Sequence, residues 1–199
     1  METDEDLLAR LRAGDESAFE ALVERYHPRL IRFALSFAPR WELAEDVVQE
    51  TWIGLLRGLD RFEGRSSLGT WLFQICANRA RSMAAREARI IPVDPEGPAV
   101  DPALFQADGA WAEPVAAWAD PPTDAAEQAE LIERIRRAID DLPPGQRQVV
   151  TLRDLEGMTA AQVCEIMSIT EVNQRVLLHR GRTRVRAVLD RLDKEVTHR

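Results

Sequence analysis

The side chains best suited to reading a nucleic acid are concentrated between Thr159 and Arg186. Asn173, Gln174, Arg175 and His179 sit together, and Arg180, Arg182, Arg184 and Arg186 follow. Asparagine and glutamine amides pair bidentately with adenine, and a guanidinium pairs bidentately with guanine. Catalytic chemistry has no comparable cluster. His27, His179 and His198 are scattered, and no nucleophile–base pair, metal-ligand cluster or glycine-rich phosphate loop is present. Neither an enzyme, a cofactor nor a metal is therefore expected. Cys76 and Cys164 stand far apart in apolar helical patterns, as expected of two buried thiols acting as small hydrophobes.

The elements that must position these groups read as helices. Thr159–Met167 forms a short amphipathic helix with Thr159 as N-cap. Ser168-Ile169-Thr170 is a turn, and Thr170 caps a longer helix reaching about Asp193. This is a helix-turn-helix pattern, whose second helix enters the major groove with its first residues at base edges. Leu178, Val185, Leu189 and Leu192 line the apolar side of that helix, while Arg175, Arg182 and Arg186 share one edge. Upstream, a helix carries Leu131, Ile135, Ile139 and Leu142, and Pro143-Pro144 ends it. Gln146–Asp154 makes another helix.

In the first half, Phe19, Leu22, Val23, Tyr26, Leu30, Phe33 and Phe37 recur at three- and four-residue steps, with a kink or break expected at Pro28. A second helix spans about Trp41–Leu59, with Leu43, Val47, Val48, Trp52, Leu55 and Leu56 expected inside. A third follows the Glu63–Ser67 turn, from Leu68 to about Arg89. Seven prolines between 91 and 123 mark a flexible linker, in which Phe105, Trp111 and Trp118 either dock on a neighbouring domain, the favoured reading, or form a recognition segment for another protein. The expected fold is all-α: a helical domain over residues 1–90, an acidic proline-rich linker over 91–124, and a helix-turn-helix domain over 125–199.

Composition agrees with a globular chain. Of 199 residues, 45% are hydrophobic and 30% charged. The net charge of −8 argues against nucleic acid until its distribution is considered. No Lys or Arg occurs from Ile90 to Glu133, whereas Arg79, Arg81, Arg86 and Arg89 form one basic cluster and the stretch from Gln174 onward forms another. Local patches of this kind, rather than total charge, set phosphate binding. The acidic start and the lack of a long apolar run predict a cytoplasmic chain without membrane insertion.

Three segments carry a family resemblance. Glu42–Trp52 (ELAEDVVQETW) resembles the core-polymerase-binding helix of sigma factors, and Phe62–Arg79 (FEGRSSLGTWLFQICANR) resembles the adjoining segment that reads the −10 promoter element. Leu142–Val149 (LPPGQRQV) and Leu178–Arg186 (LHRGRTRVR) resemble the domain that reads the −35 element. The order of these segments, with no third sigma domain between them, is similar to the extracytoplasmic-function group of RNA polymerase sigma factors. Ser168 stands where the family usually has Gly, and Gly181 where Ala is usual. A glycine inside a helix costs about 1 kcal/mol against alanine.

The resemblance implies a non-enzymatic initiation factor. Asp46, Gln49, Glu50 and Ile53, three or four residues apart on one helix face, would meet the clamp region of the large polymerase subunits. Ser67, Thr70, Trp71, Asn78, Arg79 and Arg81 would hold the melted non-template strand of the −10 element, with Trp71 either packing in the core or supporting an unstacked base. Asn173, Gln174, Arg175, His179, Arg180 and Arg182 would read the −35 duplex, Arg175 and Arg180 matching positions at which family members touch DNA. The linker would thread a basic channel of the polymerase, and an anti-sigma factor would clamp both domains. A stand-alone helix-turn-helix regulator is the competing reading, separable by a gel shift with and without core enzyme. A purely protein-binding adaptor would leave the two basic helices unexplained.

Overall fold

The computed structural model describes residues 3–38, 40–87 and 124–197, and the described residues are all-α, without a strand. The linker, with Phe105, Trp111 and Trp118, lies outside them, as does Arg89. Contacts divide the described chain into two units, 3–87 with 161–169, and 124–160 with 170–197.

The first unit opens with a helix that the sequence reading did not anticipate, α1 (Asp4–Arg12). Thr3 and Asp6 cap it reciprocally: the Asp6 backbone N–H donates to Thr3 Oγ1 at 3.2 Å, and the Thr3 N–H to Asp6 Oδ2 at 3.1 Å. Leu7, Leu8 and Leu11 anchor it in the core. Next comes α2 (Glu16–Leu35), whose N-cap Asp15 accepts from the Ser17 N–H. Of the kink or break expected at Pro28, the break does not occur, because α2 runs through it. An interior proline costs a helix about 3 kcal/mol, and burial on both sides of it, by Leu22 and Tyr26 before and Leu30, Ile31 and Phe33 after, holds the helix together.

α3 (Trp41–Gly58) continues into a short 3-10 turn, Leu59–Arg61, and α4 (Leu68–Glu87) packs against it. The α3–α4 crossing is close because Gly54 and Gly58, one turn apart, leave room for side chains of α4. A Cβ on either would lie 2.9 Å from Ile75 Cγ2 or Trp71 Cζ2 respectively. The buried rings of Phe33 and Phe73, 5.4 Å apart, join α2 to α4. Cys76 is buried among these helices, and burial pushes its thiol up to about 12, as suits a small hydrophobe rather than a redox centre.

The second unit contains α5 (Ala125–Asp140), α6 (Pro144–Val150) and α8 (Glu171–Thr197). α6 starts two residues earlier than expected, with Pro144 at its first position, where a missing N–H costs nothing. It passes into a π-helical turn, Thr151–Leu155, instead of continuing as an α-helix to Asp154. α6 and α8 cross at Gly181, where an added Cβ would sit 2.6 Å from Val150 Cγ2. The family-atypical glycine is thus the residue this crossing requires.

The short α7 (Ala160–Met167) ends in the anticipated turn. Ile169 N–H donates to the Cys164 carbonyl at 3.1 Å while Ser168 adopts φ +55°, a Schellman-type stop that favours glycine. Left-handed backbone costs a residue with a Cβ roughly 1–2 kcal/mol, and a new glycine gives back roughly 0.4–1 kcal/mol through the unfolded chain. Ser168→Gly is therefore expected to raise stability by roughly 0.5–1 kcal/mol in urea unfolding monitored by circular dichroism; a lowered midpoint would contradict it. Thr170 caps α8 as expected, its Oγ1 accepting from the Asn173 N–H at 3.2 Å.

Candidate nucleic-acid and protein interfaces

The outer face of α3 combines acid and exposed hydrocarbon. Asp46 and Gln49 are exposed, and Ile53 beside them is 39% exposed. Leu56, expected inside, is 49% exposed, because it lies seven residues after Gln49 and so two turns along the same face. It lines a shallow hollow with Leu11 and Phe19, rimmed by Asp15, Glu16 and Glu20. Leu56 therefore extends the set that the sequence reading picked out. Glu50 is half-buried and turned toward α4, where its carboxylate lies 4.0 Å from Arg79 Nη1.

On α4, Ser67, Trp71, Gln74, Asn78 and Arg81 recur at spacings of four, three, four and three residues, which places them on one stripe. Trp71 is half-buried. Its ring stacks on Phe62 with centroids 4.5 Å apart and planes inclined 22°, and the far edge of the ring lies over Gly58. The ring thus packs and lines an open hollow at once, together with Phe62, Ser66, Gln74 and Gly58. Asn78 is exposed and accepts from Arg81 Nη1 at 2.9 Å. Ser67 caps α4, accepting from the Thr70 N–H at 3.1 Å, and the two hydroxyls share a 2.8 Å hydrogen bond. Thr70 itself is buried, which corrects its expected place at the DNA surface: its hydroxyl is engaged by Ser67 Oγ and accepts from Gln162 Nε2 at 3.1 Å. Gln74, unnoticed in the sequence, belongs to the stripe by its phase.

On α8, Asn173 and Arg175 are exposed, and His179 and Arg180 are half-buried. Two expected base readers are placed otherwise. Gln174 is only 4% exposed, on the face that buries Leu178 and Gly181, and its Nε2 finds no acceptor among the described residues. Arg182 forms a two-point ion pair with Asp154, Nη2 to Oδ1 at 2.6 Å and Nε to Oδ2 at 3.0 Å, which braces α8 against the π-helical turn. Arg184 Nη1 similarly donates to Gln146 Oε1 at 3.2 Å. The outward positions hold instead two valines, Val172 at 71% and Val176 at 40% exposure. Among the described residues, no group of three or more potential metal ligands occurs and no helix is long and apolar enough to cross a membrane.

Comparison with known proteins identifies the class to which this arrangement of helices belongs. The sigma-70 region 2 family matches residues 22–90, and the sigma-70 region 4 family matches residues 132–185. The ECF RNA polymerase sigma-E factor of Escherichia coli is 31% identical over 180 residues, covering 90% of this chain and 91% of that protein. The RNA polymerase sigma-H factor of Pseudomonas aeruginosa is 30% identical over 195 residues, covering 98% and 97%. The chain belongs to the extracytoplasmic-function sigma factors: it is a transcription initiation factor and not an enzyme. The fold is shared with CnrH in its complex with the cytosolic domain of CnrY (TM-score 0.60, 23% identity, 94% of this chain and 97% of that one). It is likewise shared with the sigma factor RpoE in its complex with the anti-sigma factor NepR from Bartonella quintana (TM-score 0.60, 22% identity, 86% and 96%).

Proposed function

We propose that this sigma factor docks on core RNA polymerase through the outer face of α3 and reads promoter DNA with α4 and α8. The observation that carries the reading is the α4 stripe. A tryptophan braced by Phe62 presents ring surface beside Ser67, Gln74 and Asn78, which is what an unstacked base needs: an aromatic platform with polar groups around it. Asp46, Gln49, Ile53 and Leu56 supply an acidic rim around an apolar centre, complementary to a basic helical surface of the polymerase clamp. Glu50 and Arg79 pair with each other at the boundary between these two surfaces. Asn173, Arg175, His179 and Arg180 serve the upstream duplex, and Gln174 and Arg182 hold α8 in place. Dividing recognition between two modest modules makes affinity depend on their tether. The factor acts in the cytoplasm, where polymerase and promoters are. An anti-sigma factor is a fitting regulator, since one that covered α3 and α4 would block docking and melting together.

Transcription in vitro with purified core enzyme and a genomic promoter library tests the reading. Starts dependent on this chain should share two short elements, one at the melted region and one upstream of it. Trp71→Ala should keep core association but lose permanganate reactivity of the opened strand. Equal opening by Trp71→Ala, or no association with core enzyme, would overturn the proposal.

A further inference from the structure

With Gln174 buried and Arg182 tied to Asp154, the start of the outward face of α8 is apolar, and half-buried His179 follows the valines along it. Val172 and Val176 are one turn apart, and at about 100° per residue they point opposite Gln174, Leu178 and Gly181. Arg175 lies along one edge of this pair, and Asn173 and Arg180 along the other. Exposed valines framed by cations do not suit open water, but they suit a polyanion with hydrocarbon at its floor. In the major groove the thymine 5-methyl is the apolar group that base edges offer.

We infer that Val172 and Val176 are specificity-determining residues that read thymine methyl groups in the upstream promoter element. The inference rests on the proposed role of α8 in binding that duplex. The arginines hold the phosphates and set register, and the valines discriminate, because thymine and cytosine differ at the position a valine methyl would meet. Four residues of helix rise about 6 Å and successive base pairs about 3.4 Å. The two methyls should therefore belong to thymines one or two steps apart, on either strand.

The test uses the whole chain with core polymerase. Selection from a randomised upstream region first defines the element, and each thymine in it is then replaced by deoxyuridine, which lacks only the 5-methyl. Binding should weaken about fourfold at one or two positions. Val172→Ala and Val176→Ala should each erase the thymine–deoxyuridine difference at one position and leave the other; both substitutions favour the helix, so unfolding would not mimic the result. Equal binding of thymine and deoxyuridine duplexes, an element without thymine in this register, or alanine variants that keep the full difference would overturn the inference. Failure to select any upstream element would instead overturn the role of α8 in the proposed function, and the inference with it.

Discussion

Gly181→Ala is expected to destabilise the second unit by up to about 2 kcal/mol, although alanine is the better helix former by about 1 kcal/mol. The sign is set by packing. The new Cβ would stand 2.6 Å from Val150 Cγ2 and 3.5 Å from Gln146 Cβ. Carbon atoms at optimal contact are about 3.5–4.0 Å apart, so α6 and α8 must separate by about 1 Å. Val150 is buried in a short helix and has little room to yield. Overpacking of this kind costs roughly 1–3 kcal/mol before any relaxation. Hydrogen exchange of α6 and α8 amides should accelerate roughly tenfold. The diagnostic variant is Gly181→Ala with Val150→Ala, in which the offending methyl is gone. The two substitutions should couple favourably, the pair costing less than the sum of the singles. Simple additivity, or a stabilised single variant, would show that the crossing tolerates a side chain.

That glycine illustrates what the sequence could and could not disclose. Its oddity in a helix was visible, but the reason lies in Val150, thirty-one positions earlier, and only the folded crossing joins them. The same holds for Arg182, whose partner Asp154 is 28 residues away, so a basic residue on a recognition helix looked available for phosphate. The burial of Gln174 was legible. It precedes Leu178 by four residues and Gly181 by seven, so helical phase placed it on the inner face, and its chemistry distracted from its position. α1 was legible too, since Thr3 and Asp6 have capping spacing ahead of Leu7, Leu8 and Leu11. The helical character of both halves and the spans of α3 and α4 followed from periodicity. The exposure of Leu56 was legible as well, since it lies seven residues after Gln49 and three after Ile53, and its apolar character distracted from its phase.

α1 matters because its last residue reaches the candidate −10 surface. Arg12 donates through Nη2 and Nε to the Leu59 carbonyl, at 3.2 and 3.4 Å, and through Nη2 to the Phe62 carbonyl. These oxygens belong to the end of α3 and the turn beyond it, where helical carbonyls lack intrahelical donors. One guanidinium thus fixes the segment that carries the Phe62 ring against Trp71. A charge-assisted hydrogen bond contributes roughly 1.5–3 kcal/mol, reduced here because Arg12 is exposed. Arg12→Ala is accordingly expected to speed exchange of the 59–62 amides about tenfold and to weaken holoenzyme binding of an unpaired −10 strand by a similar factor. Arg12→Lys should fall between, since one ammonium cannot hold both carbonyls in the arginine fork. Binding of the isolated upstream duplex should not change, which separates loss of this brace from general unfolding. Unaltered exchange across 59–62 in Arg12→Ala would mean that Phe62 and Trp71 hold each other without it.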